Sequence, residues 1–416
     1  MKETKTLEFK ESITNSFLKT ISAFSNYTGG KIIFGIDDNG NVKGIPHLKE
    51  TCLDIENKIN DNITPQPNYT IDVDESNNTI ILDIQVGEEK PYLYKSKAYK
   101  RNDTATIEVD HLEFSRLILE GKQLNFEQLP SRNQDLSFDT LKDKLIQKTD
   151  IDDFSKDILK TLNLYSNKAG YNNAANILSD NNSFPGIDIV VFGETINIIR
   201  KRITLDNKSI LQSFDEAVDV FKDNYNYELI EGIERIKKSK IPESSFREAL
   251  ANALIHRTWD SSSHIAVSMF DDKVEIVSPG GLPSDLSKEE YLNGRISVLR
   301  NPIISNVFYR LGMVEIFGTG ILRIKQDYVS SIMKPDFSIM ENTIKITLPV
   351  METKLNISED EQSVYSLLSK VTPKSISEIH SESSFGKSKV LEILNKLVEK
   401  KIITKVGQGR GTKYLK

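Results

Sequence analysis

One stretch of this sequence has the residue types and spacing for nucleotide chemistry. In Phe246-Arg-Glu-Ala-Leu-Ala-Asn-Ala-Leu-Ile-His-Arg257, Glu248, Asn252 and His256 recur at i, i+4 and i+8, and so share one helix face. A carboxylate and a carboxamide side by side suit a metal-bound triphosphate: the Asn oxygen ligates Mg²⁺ while the Glu orients water. Downstream, Gly280, Gly281, Gly318 and Gly320 let backbone N–H groups approach phosphate. On this reading the cofactors are a triphosphate and Mg²⁺, with Asn252 as the metal ligand. The alternative, favoured by spacing alone, is a solvated or core-capping helix face and two ordinary glycine turns.

Two further sets concern nucleic acid. Near the start, Glu8 sits in Leu7-Glu8-Phe9-Lys10, and Asp37-Asp38 ends the strand after Gly29-Gly30. If those strands are neighbours, the carboxylates converge where one or two divalent metals would support phosphodiester cleavage. The plainer reading is turn chemistry for Asp37-Asp38-Asn39-Gly40 and a solvated charged strand for Glu8. Lys100 and Arg101 suit a nucleic-acid backbone or, equally, an exposed edge strand. At the other end, Lys374 to Lys416 holds ten Lys or Arg against four Glu in a chain of formal net charge −6. That reversal of sign is the footprint of phosphate contact. Lys387, Lys389 and Lys396 lie on the polar face of an amphipathic helix, and Lys405, Arg410 and Lys413 in a following hairpin. A protein-binding or dimerisation module is the alternative.

The elements that must hold these residues follow from patterning. At 416 residues, two to four domains are expected. The first block joins a helix around Phe17–Phe24 to a strand at Lys31–Ile36, a hairpin turn at Asp37–Asn41, and a strand pair near Tyr69–Val73 and Thr79–Val86, in a mostly antiparallel sheet. A polar linker spans Lys122–Leu136. Strands are expected at Ile187–Phe192, Glu194–Ile199, Ser263–Phe270 and Lys273–Val277, and helices at Ser213–Tyr227 and Glu243–Leu254. The tail reads helix, helix, turn, helix, hairpin, the order of a winged helix, whose second helix of the pair enters the major groove of double-stranded DNA. The single Cys52 excludes an internal disulfide framework and a cysteine-rich zinc site. The charged start has no signal-peptide pattern and no stretch approaches the roughly 20 apolar residues of a membrane span, so the cytoplasm is the expected location and no membrane partner is expected.

The motifs also carry family resemblances. FREALANALIHRTWD, DDKVEIVSPGGLP and RNPIISNVFYRLGMVEIFGTGILRI resemble the C-terminal region of bacterial RecG-like proteins and transcriptional regulators, a region related to the histidine-kinase/gyrase/Hsp90-type ATPase fold. That resemblance makes the triphosphate ATP. LEFKES, ISAFSNYTGGKIIFGIDDNGNVKGI and KAYKRNDTAT resemble the Schlafen AlbA-like domain. That resemblance implies a nuclease site of three carboxylates near Glu3, Glu8 and Asp38 or Asp37, with Glu3 loosely held close to the chain start. No GxxxxGK[ST] motif is present, so a helicase motor is not expected. Where the ATPases carry an adenine-reading Asp, this sequence has Ser278, which brings no charge-assisted hydrogen bond.

The expected architecture is therefore α/β (α+β) and multidomain: a Schlafen AlbA-like domain at 1–121, a connecting region at 122–240, an ATPase-like region at 241–350 and a winged helix at 358–416. The expected function is DNA binding in transcriptional regulation, as a homodimer reading paired half-sites and responsive to nucleotide. A metal-dependent nuclease acting in defence, or an ATP-gated switch, is the rival.

Overall fold

The computed structural model describes residues 2–149, 153–231, 234–283, 286–294, 298–315, 318–351, 357–369, 372–400, 402–407 and 411–416. Its first sheet has the order Leu7–Lys10, Gly30–Phe34, Thr79–Ile84, Tyr69–Asp74. The first pair is parallel, with Leu7 opposite Lys31, and the other two are antiparallel. A parallel pair needs a crossover, and the buried helix Phe17–Asn26 supplies it. The crossover closes at Gly29, whose φ of +65° suits glycine, and at Gly30, where a Cβ would lie 2.7 Å from the Thr6 carbonyl oxygen. Phe17, Phe24, Phe34, Ile80 and Leu82 fill the core beneath. The turn at Asp37 forms as expected but closes only the isolated bridge from Ile36 to Val42, not a hairpin of sheet strands.

The central sheet has six strands: Ile199–Leu205, Ile187–Phe192, Ile265–Met269, Lys273–Pro279, Thr343–Pro349 and Asp336–Ile339. Ile187–Phe192 runs parallel to Ile265–Met269, Ile187 facing Ile265. One core runs from Phe138 to Leu348, with the Phe221 and Phe246 rings stacked at 4.1 Å. The boundary expected at 240/241 falls inside this unit, because the pairing that joins the two parts is remote in sequence. The strand expected at Glu194–Ile199 lies instead at Ile199–Leu205. Glu194–Ile198 forms the connection, closed by Gly193 N–H donating to the Ile198 carbonyl, and its Ile196 and Ile198 are exposed rather than core. The helix expected at Ser213–Tyr227 spans Ile210–Tyr225 and leads into two paired strands, Asn226–Glu231 and Glu234–Ser239, which the sequence reading did not anticipate.

In the tail, helices Glu359–Ser366, Ile376–Glu382 and Lys387–Glu399 pack around Val364, Ile379, Val390, Leu394 and Tyr414. Strands Lys374–Ser375, Lys413–Leu415 and Thr404–Val406 complete the winged-helix order. Ser358 with Glu361 and Ser375 with Glu378 form capping boxes that start the first two helices. Among the described residues no helix is long and apolar enough to cross a membrane.

The expected linker is anchored. Glu127 is fully buried, and its two carboxylate oxygens accept from Ile303 N at 2.6 Å and Ile304 N at 2.9 Å. These amides open helix Pro302–Arg310, whose unpaired N–H groups favour an anion there. Desolvation nevertheless prevails over the two donors and pushes the carboxyl up to about 7. Because the folded state binds the proton more tightly, stability is fully present below the ordinary Glu value and is lost as pH rises through about 7. We predict that wild type loses on the order of 3 kcal/mol between pH 4.5 and pH 7.5 from this group, and that Glu127→Gln flattens that part of the profile. Equal slopes in urea titrations of the two proteins would refute it.

Candidate functional site

Helix Glu243–His256 lies on the central sheet and turns Glu248, Asn252 and His256 toward one cavity, as its 3.6-residue period requires. Gly281, Gly318 and Gly320 line the same cavity, and Gly280 is adjacent to it. Its walls are otherwise apolar, with Ile255, Ile276, Leu286, Ile321 and Ile346. At about 80 Å³ the cavity is narrow, below the roughly 300–1,000 Å³ of most small-molecule sites.

Contacts inside explain the narrowness. The Glu248 carboxylate accepts from Arg323 at 2.9 Å and from the Asn252 amide at 3.3 Å. Gly320, first residue of helix Gly320–Asp327, presses against both: a Cβ there would come within 2.2 Å of Glu248 Oε1. An ATP phosphate would need this glycine segment to withdraw. Burial first, and the Arg300 guanidinium second, push the His256 imidazole down to about 4, so it is neutral near pH 7. The glycine pair at 280–281 serves close packing. Gly280 N–H donates to the Asn342 carbonyl, and Cβ atoms at Gly280 and Gly281 would meet Arg300 Nη1 at 2.5 Å and the Glu341 carbonyl oxygen at 2.1 Å. Ser278 lines the cavity but donates its hydroxyl to the Ala253 carbonyl at 2.9 Å.

The N-terminal carboxylates are arranged otherwise than expected. Glu8 is buried, and its oxygens are taken by Arg101 at 2.5 Å, Lys10 at 2.6 Å and Thr20 at 2.7 Å. Glu3, expected to be loose, accepts from Phe9 N at 2.8 Å and is tied to the strand that carries Glu8. Asp38 is exposed on the turn. Asp37 accepts from the backbone and side-chain amides of Asn41 and from Asn39 N, which holds its carboxyl below the usual range and makes it a turn cap. Among the described residues no three His, Cys, Asp or Glu side chains are grouped to hold a metal ion. Arg101, read as a backbone contact or an exposed edge residue, is buried against Glu8, and Lys100 pairs with Glu113 at 2.6 Å.

In the winged helix, Lys387, Lys389, Lys396, Lys405 and Lys413 are all exposed. Lys396 pairs with Glu392 at 2.8 Å and Lys389 reaches Asp360 at 3.8 Å. Lys387, Lys405 and Lys413 make no ion pair among the described residues. In the wing Lys405 stands opposite Tyr414 and Lys413 opposite Val406, so the two lysines alternate across it. Arg410 lies outside the described residues. Sequence reasoning missed Glu127, Arg300 and Arg323, whose partners are all remote in the chain.

Comparison with known proteins agrees with this layout. Residues 3–110 match the family model "Schlafen, AlbA_2", residues 262–348 "Putative ATP-dependent DNA helicase recG C-terminal", and residues 351–415 "Sugar-specific transcriptional regulator TrmB". The three follow one another in the order that the sequence resemblance implies. No curated protein matches the chain. Among solved structures, it is similar to the DIP2311 protein from Corynebacterium diphtheriae, at 18% identity and a TM-score of 0.49, over 99% of this chain and 92% of that one. It is also similar to the N-terminal domain of a RecG-related protein from Nitrosomonas europaea, at 17% identity and a TM-score of 0.19, over 25% of this chain and 78% of that one.

The Glu8–Arg101 arrangement generates a stability prediction. Removing one partner of a buried pair leaves the other charge uncompensated, at roughly 3–5 kcal/mol. Glu8→Ala should lower the thermal midpoint markedly, whereas Asp38→Ala should leave it within a degree or two. Equal, small effects would show that Glu8 is free for another role.

Proposed function

We propose that this chain, a Schlafen AlbA_2 region followed by a recG-type C-terminal region and a TrmB-type winged helix, is a DNA-binding transcriptional regulator. The observation that carries the reading is the set of exposed lysines in the tail. Helix Lys387–Glu399 presents Lys387, Lys389 and Lys396, and the wing adds Lys405 and Lys413. A helix in this position reads base edges while flanking lysines neutralise phosphates. Binding of paired half-sites by a homodimer is part of the proposal, as is a contribution from Arg410.

A nucleotide response is the second part, and the cavity under helix Glu243–His256 supports it. Its apolar walls suit a flat base, and Glu248, Asn252 and His256 gather at one side. When bound, Mg²⁺ would neutralise the phosphates. Asn252 is the residue proposed to ligate it, after the amide turns from Glu248. Ser278, already bonded to Ala253, offers the base little selectivity.

Two outcomes are expected. In anisotropy titrations with duplex DNA, Lys387→Glu combined with Lys405→Glu should weaken binding at least tenfold and lower the salt slope by about 2, since each phosphate contact contributes about one. Unchanged affinity, with unchanged melting, would sink the DNA reading. In calorimetry at millimolar Mg²⁺-ATP, wild type should release heat and Asn252→Ala should not. A silent wild type would end the nucleotide part and leave the DNA part standing.

A further inference from the structure

A larger cavity, of about 870 Å³, lies between the N-terminal unit and the central one. Leu119, Leu124, Phe126, Trp259 and Leu299 supply its apolar lining. Three cations line it, and two of them are neutralised. Arg116 makes a two-pronged bridge to Asp260 at 2.7 and 2.9 Å, and Lys90 pairs with Glu120 at 2.5 Å. Arg300 differs. Among the described residues it makes no ion pair, and its hydrogen bonds, both 2.8 Å, go to the carbonyls of His256 and Gly281. A guanidinium has five N–H donors, so donors remain beyond those carbonyls. Burial and the nearby Arg116 hold it below the ordinary Arg value, against the opposing pull of Asp260, whose carboxylate is already bonded to Arg116.

An uncompensated cation beside apolar walls is costly, and an anion relieves that cost. A neutral apolar guest would leave Arg300 unpaired. A nucleic-acid backbone would meet Glu88, Glu120 and Asp260 at the same cleft. We propose that this cleft binds a small amphipathic organic anion, its acid group on Arg300 and its apolar body along Leu124, Phe126 and Trp259. The volume falls within the range of small-molecule sites. The occupant bridges both units and meets the arginine that holds the glycine turn of the narrower cavity, which is the position of an effector. The binding claim stands apart from the DNA reading, and duplex affinity does not enter its test.

Trp259 is the single tryptophan of the chain and lines the cleft, so it reports directly. The probe is 8-anilinonaphthalene-1-sulfonate, titrated into the full chain with excitation of Trp259 and detection of both its quenching and the energy transferred. Saturable, single-site binding is expected, displaced by octanoate far better than by octanol. Leu124→Glu, at a partly exposed position, should weaken it at least tenfold, and so should Arg300→Met if that variant folds. Asn252→Ala should leave it unchanged. Equal competition by octanol and octanoate, undiminished binding to Leu124→Glu, or loss in Asn252→Ala would each overturn the proposal.

Discussion

Helix Glu243–His256 ends inside the protein, and its final carbonyls must find donors there. An α-helix leaves its last four C=O groups without intrahelical partners, and a buried carbonyl left unpaired costs about 1–3 kcal/mol. Here side chains satisfy those of Ala253, Ile255 and His256, and that of the following Arg257. Ser278 donates to Ala253, Asn301 to Ile255 and Arg257, and Arg300 to His256. Arg257 itself is fully buried, donates to the carbonyls of Pro185 and Ser263, and stacks over Trp259 at 4.2 Å. The position of Glu248, Asn252 and His256 depends on this cap. So does the path of the strand ending at Pro279, because Ser278 is bonded into it.

The same short run carries the next constraint. Arg300 and Asn301 cap one helix, while Ile303 and Ile304, two residues later, open another whose amides are closed by Glu127. The segment 300–304 thus fastens the connecting region, the central sheet and the glycine turn to one another. Arg116 and Asp260 add a second link between the N-terminal and central units. Arg300 lines the large cleft while donating to two residues of the narrow cavity, so the two spaces share a wall at one guanidinium.

Much of this was legible in the sequence where the signal is local. The β-branched run after Gly29-Gly30, the face shared by Glu248, Asn252 and His256, and the helix, helix, turn, helix, hairpin order of the tail each depend on neighbours within a few residues. What escaped depends on distant partners. Glu8 reads as a charged strand residue until Arg101, on a strand 93 residues away, turns inward to meet it. Ser278 reads as a lost adenine contact until the Ala253 carbonyl shows its partner. The parallel pairing of Ile187–Phe192 with Ile265–Met269 enlarges the central unit well beyond residue 241, and no periodicity reveals a pairing. The strands Asn226–Glu231 and Glu234–Ser239 were hidden by the helix before them, whose pattern runs into Tyr225 without a breaker.

The proposed engagement of DNA rests on a basic tail in an acidic chain. Hydrogen exchange of the full chain, with and without saturating duplex, tests it most directly. The prediction is protection concentrated in helix Lys387–Glu399 and the strands Thr404–Val406 and Lys413–Leu415, with the N-terminal sheet little changed. Protection confined to residues 3–110, with the tail exchanging as in the free protein, would contradict it.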